Sequence, residues 1–145
     1  MKEYLDNAME QHFTFYMKEN NFHFERFKSS SFGISYTFSN GHIRLVISKD
    51  RGLIETSLSS IHSENYFDIN LIYNFHKSKN CDLSLEDFFG KNPQSNRLNL
   101  EQAAAFLQDQ RNWITNIFKE NNYIETEKDL HNFGSRRKKF NKTVC

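Results

Sequence analysis

Hydrophobic positions change their period along the chain, and each period predicts an element. Leu5, Ala8, Met9, His12, Phe13 and Tyr16 recur at three- and four-residue steps, while Glu3, Asp6, Glu10 and Lys18 fall mostly opposite. That is the pattern of an amphipathic helix, predicted over 2–19 and ended by Asn20-Asn21. From residue 32 the period drops to two. Phe32, Ile34, Tyr36 and Phe38 alternate with Gly33, Ser35, Thr37 and Ser39, as in a half-buried strand. Asn40-Gly41 follows, a pair favoured in two-residue type I′ hairpins, where both central residues need positive φ. Closing the chain there sets Phe38 opposite Ile43, Tyr36 opposite Leu45 and Ile34 opposite Ile47, with Thr37/Arg44 and Ser39/His42 on the other face. A one-residue slip would carry every apolar side chain to the wrong face. Lys49-Asp50-Arg51-Gly52 makes a second turn, after which Ile54, Thr56 and Leu58 continue the apolar face opposite Ile47, Leu45 and Ile43. Phe22, Phe24 and Phe27 offer a preceding strand, joined through Ser29-Ser30-Ser31.

Residues 66–76 carry two periods at once. Phe67, Ile69, Leu71, Tyr73 and Phe75 alternate like a strand, yet Phe67, Leu71 and Phe75 form a helical row that Asn65 with Asp68 would cap. A turn of helix led by Ser84 carries Leu85, Phe88 and Phe89 and is expected to stop at Gly90, with Asn92-Pro93 opening a loop. Asn99, with Gln102 three residues on, is a capping box for a long helix over 100–119. Its stripe is Leu100, Ala103, Ala104, Leu107, Ile114, Ile117 and Phe118, flanked by Phe106 and Trp113. The expected fold is α+β: an antiparallel β-meander of three to four strands packed on one face against N-terminal and C-terminal helices. Residues 1–120 form the domain, and 121–145 are a polar, basic C-terminal extension, helical or frayed.

Composition changes this picture in two ways. A mean hydropathy of −0.76 leaves little aliphatic material for a core, but 15 Phe, 6 Tyr and 1 Trp compensate, since each buried aromatic removes about 150–250 Å² from water. The net charge of +1 hides an asymmetry: residues 134–145 carry five of the 19 basic side chains and no acid, leaving 14 bases against 18 acids before them. A mildly acidic body therefore ends in a basic segment. No apolar run approaches the roughly 20 residues of a membrane span, and the opening residues lack a signal peptide's apolar stretch. Cys81 and Cys145 are too few for a disulfide framework. These features fit a cytoplasmic protein.

Candidate chemistry is sparse. The histidines at 12, 23, 42, 62, 76 and 131 nowhere take the spacing that converges two imidazoles on a metal. Cys81 stands beside Asp82, whose charge disfavours a thiolate. There is no G-x-S-x-G elbow and no glycine-rich phosphate loop. The expectation is a protein with no catalytic residue, no metal and no cofactor. Asp50 and Arg51 sit on a hairpin tip, where Asp and Gly serve the turn and Arg is either solvated or free to meet a partner. His42, Arg44 and Glu55 on the wet sheet face have the same two readings. The run Arg136, Arg137, Lys138 and Lys139 is a solvated helix end, a phosphate contact or an anionic partner's surface, with the acidic body working against nucleic acid.

The leading helix, the hairpin FGISYTFSNGHIRLVIS, the Lys-Asp-Arg-Gly turn into a strand with a Ser-rich end, and the Ala-rich helix LNLEQAAAFLQDQRNWITNIF together resemble small bacterial immunity proteins of polymorphic toxin systems. The resemblance spans roughly 1–120 and implies an α+β cytoplasmic chain that binds and neutralises a cognate toxin domain. Contact residues in that family vary and none transfers by position. The residues of this chain expected to meet a protein partner are His42, Arg44, Asp50, Arg51 and Glu55. The alternatives are a nucleic-acid-associated protein using the basic tail and a small-ligand-binding domain.

Overall fold

The computed structural model describes residues 2–91 and 97–144; the Asn92-Pro93 loop and Cys145 lie outside them. Five antiparallel strands run in chain order: β1 (His23–Ser29), β2 (Gly33–Ser39), β3 (Ile43–Asp50), β4 (Leu53–Ser60) and the two-residue β5 (Phe67–Asp68). The α+β meander is thus present, one short strand longer than expected. Its inner face carries Ile34, Tyr36, Ile43, Leu45, Ile47 and Leu58, all buried in one core with residues from the helices. The outer face is polar, and the segment from 61 to 66 folds over one end of it, where Ser63 carbonyl accepts from Arg44 at 3.0 Å.

The buried face is the expected one, but none of the three expected facing pairs forms, because the register differs. Tyr36 pairs with Ile47 and Phe38 with Leu45, while Ile34 meets Lys49. Likewise Ile54 meets Lys49, Thr56 meets Ile47 and Leu58 meets Leu45. Each pairing slides by two residues, which preserves which side is buried. The cause is turn chemistry. Asn40 Oδ1 accepts from the amides of His42 (2.8 Å) and Ile43 (2.9 Å), and Asn40 N–H donates to Ile43 O, so Gly41-His42 is the tip. This side-chain turn needs no positive φ, and Gly41 has none. The positive-φ pair is instead Arg51 (52°) and Gly52 (85°), so the type I′ geometry belongs to the β3–β4 turn. Phe32 is not the first inward residue of β2. Ser30 N–H donates to Gly33 O at 2.8 Å, which leaves Ser31-Phe32 as the tip of the β1–β2 turn.

The predicted N-terminal helix is present as α1 (Lys2–His12) and α2 (Thr14–Glu19). Thr14 Oγ1 donates back to Glu10 O at 2.8 Å at the interruption, a bond that bends helices. Asn21 (φ 59°) closes α2: Phe22 N–H reaches Met17 O and Asn21 N–H reaches Lys18 O, a Schellman ending. After β5, α3 (Ile69–Lys79) is capped by Asp68, whose Oδ1 accepts from Asn70 N–H at 2.7 Å. The short α4 (Leu85–Lys91) continues through Gly90 rather than stopping there. The capping box of Asn99 and Gln102 opens α5 (Leu100–Asp109). The expected single helix breaks at Gln110, and α6 (Arg111–Phe118) follows. Finally α7 (Tyr123–Val144) is one 22-residue helix. Thr126, Leu130, Phe133 and Arg137 are buried along it at four-, three- and four-residue steps. Leu130 and Phe133 join the same core as the sheet. Helices α3 and α5 lie against β4, α1 lies on α5, and α7 lies on α3, α4 and α6. Among the described residues no helix is long and apolar enough to cross a membrane.

Candidate functional site

Two turns meet at one end of the sheet, because β1–β2 and β3–β4 both reverse there. Arg51 locks them together. Its N–H donates to Phe32 O at 3.3 Å, and its guanidinium stands 5.3 Å from the Phe32 ring centre, a cation–π distance. The contact leaves Phe32 62% exposed and Leu53 53% exposed. Leu53 pairs with Asp50 and Glu55 with Ser48, all on the outer face. Tyr4 of α1, 60% exposed, lies under the Lys49 ammonium at 3.9 Å. A shallow depression of about 650 Å³ opens between the turns, lined by Lys28, Phe32, Ser48, Asp50 and Glu55 among others.

The backbone beneath is tightly determined. A Cβ on Gly33 would lie 2.3 Å from Lys49 O, so only glycine lets β2 approach β3 where the Phe32 turn begins. Positive φ at Arg51 holds an arginine in a conformation that costs roughly 1–2 kcal/mol for an L-residue.

The five residues expected to meet a partner do not form one site. Asp50, Arg51 and Glu55 share the tip end. His42 lies at the opposite turn, the eight residues of β3 away, roughly 26 Å at about 3.3 Å per residue. Arg44 is held in place: it reaches Glu25 at 3.5 Å and Ser63 O at 3.0 Å with its side chain 22% exposed. Glu55 meets Arg97 at 3.7 Å, both exposed. Phe32, Leu53 and Tyr4 were not singled out from sequence. Ser30 and Gly33 at the first and last positions of a four-residue turn would have placed Phe32 on a tip. Leu53 falls on the polar phase of β4, an apolar residue out of step.

The basic run is dispersed by α7. Arg136 pairs with Glu86 of α4, and the Glu86 carboxyl is held below its ordinary range first by a hydrogen bond to its own backbone and then by the arginine beside it. Arg137 turns inward and is 9% exposed. Elsewhere, His76 packs edge-on to Trp113 at 4.5 Å and Phe106 at 5.6 Å. Desolvation there lowers its pKa, with a hydrogen bond to Gln110 opposing. Cys81 Sγ donates to Ser78 O at 3.2 Å and is partly buried. Among the described residues no three His, Cys, Asp or Glu side chains converge on a point. Comparison with known protein families, curated proteins and solved structures gives no match to this chain.

Proposed function

We propose that this chain is a non-catalytic protein-binding module whose contact surface is the tip end of the sheet. One observation carries the reading: two large apolar side chains, Phe32 and Leu53, are held out in solvent beside Asp50, Arg51 and Glu55. An apolar centre inside a charged rim is the anatomy of a protein interface, and aromatic residues with arginine supply most of the binding energy in such patches. The Arg51 contact to Phe32 presets the ring before binding, which lowers the ordering cost. The layout resembles that of small bacterial immunity proteins, and on that ground the partner we propose is a toxin domain, neutralised stoichiometrically. The acidic body steers toward a basic partner such as a phosphate-binding nuclease-type toxin.

Co-expression with the product of the adjacent gene, followed by affinity measurement on the purified complex, tests this. Phe32→Ala with Leu53→Ala should weaken binding by about a hundredfold, about 2.7 kcal/mol, within the range of central apolar anchors. Asp50→Arg with Glu55→Arg should slow association, and the slowing should shrink at high salt. Melting temperatures should hold nearly constant. Unchanged affinity in both double variants would place the contact elsewhere.

A further inference from the structure

Arg137 is buried, only 9% exposed, and among the described residues one end of its guanidinium, Nη2, has no hydrogen-bond partner. A guanidinium keeps its proton in proteins, so burial leaves an uncompensated charge unless an anion arrives. Desolvation accordingly pushes Arg137 down from its ordinary pKa. The side chain lines a cavity of about 540 Å³ together with Lys138, His131, Arg97 and Asp68, within the range of about 300–1,000 Å³ typical of small-molecule sites. Three permanent cations against one carboxylate leave the lining with a surplus of positive charge. Asp68 already spends Oδ1 on the amide of Asn70. Arg97 also reaches Glu55, at a loose 3.7 Å with both side chains exposed. Gly134 lies on the same lining, inside α7, where glycine is the weakest helix former after proline. A Cβ there would meet only Leu71 Cδ1, at an ordinary 3.5 Å. Neighbouring packing does not demand the glycine, and its missing side chain keeps the cavity open.

We propose that this cavity binds a phosphate group, free or carried on a small molecule, with Arg137 as the buried fork and Lys138 and Arg97 as the outer cations. A surplus of more than one positive charge suits a phosphate monoester, which bears about −1.5 to −2 at neutral pH, better than a single carboxylate. Arginine's planar donors match phosphate oxygens in pairs. The site is built by α7, β5, the start of α3 and Arg97, whose ion pair with Glu55 reaches toward the tip end, but it does not depend on the protein-contact reading.

The test is calorimetric titration and thermal shift of the full chain with inorganic phosphate, adenosine monophosphate and acetate, at constant ionic strength. Phosphate or the monophosphate should bind saturably and raise Tm; whichever binds tighter identifies a free or an esterified phosphate, and acetate should do neither. Arg137→Gln should weaken binding about tenfold or more, the loss of one charge-assisted bond, and Lys138→Gln by a smaller factor. Gly134→Leu should fill the opening and abolish binding while keeping the helix. Lys79→Gln, on α3, should bind as the parent does. If Arg137→Gln does not fold, Lys138→Gln and Gly134→Leu decide the matter. No saturable binding, acetate matching phosphate, undiminished affinity in the variants, or tighter binding of a short single-stranded oligonucleotide than of either phosphate would overturn the proposal.

Discussion

Gly33 and Gly41 show how differently two glycines in one hairpin can matter. At Gly33 an added methyl would lie 2.3 Å from a backbone oxygen of β3, whereas at Gly41 nothing stands within 4 Å. We expect Gly33→Ala to cost about 2–3 kcal/mol through forced strand separation, and Gly41→Ala to stay within about 0.5 kcal/mol, both read from urea denaturation. The sequence invites the opposite ranking, because Asn-Gly is the familiar hairpin pair and Gly33 looks like one small residue among serines. What reverses it is the Asn40 carboxamide, which takes two amides itself and relieves Gly41 of any conformational duty. Gly52, at φ 85°, is the residue that needs its freedom, and Gly52→Ala should cost about 1–2 kcal/mol.

At the scale of elements, burial phase was legible and register was not. Alternation from Ile34 to Leu58 marks a face, but a slide of two residues leaves that face unchanged, so only the turns decide. Residues 66–76 looked ambiguous because they are two things: Phe67 pairs with Leu58 as a strand, and Asp68 then caps a helix. The capping box at Asn99 was readable outright, and Asn99→Ala should cost about 1 kcal/mol. The contact between α3 and α6 has a pH signature. His76 has its pKa lowered by burial against Trp113 and Phe106, so between the folded value and the unfolded value near 6.5 the unfolded chain binds more protons. Stability from this group is therefore complete above about pH 6.5 and falls as pH drops through the folded pKa. Thermal melts from pH 7.5 to 5 should show a steeper loss for the parent than for His76→Phe.

For the molecule as a whole, α7 is the element whose weight was hardest to see. Its composition is polar, yet Leu130 is fully buried and Phe133 nearly so, and Phe133 touches Phe75, Phe88 and Phe89. The signal was a stripe one residue wide, interrupted by a buried arginine that reads as surface. Ending the chain after residue 120 should expose that aromatic cluster and abolish cooperative unfolding, seen as dye binding with loss of a thermal transition. The outward phase of Asp50 and Glu55 was legible in the alternation of β3 and β4; the exposure of Phe32 was hidden because it fitted the strand's phase.

The bulge in β1 has a consequence for behaviour at high concentration. All seven residues of that strand are exposed, and it is the first strand of the sheet, a template on which another chain's backbone can pair. One extra residue between Phe24 and Arg26 brings Phe24 opposite Phe38 and Phe27 opposite Tyr36, so both rings join the inner face, while Glu25 reaches across to Arg44. That irregularity twists the edge out of the flat geometry a stacked neighbour requires. Deleting Glu25 would straighten the strand and throw one of the two phenylalanines to the opposite side. Light scattering on that deletion should show concentration-dependent self-association where the parent remains dispersed, making a single inserted glutamate the residue that keeps the edge to itself.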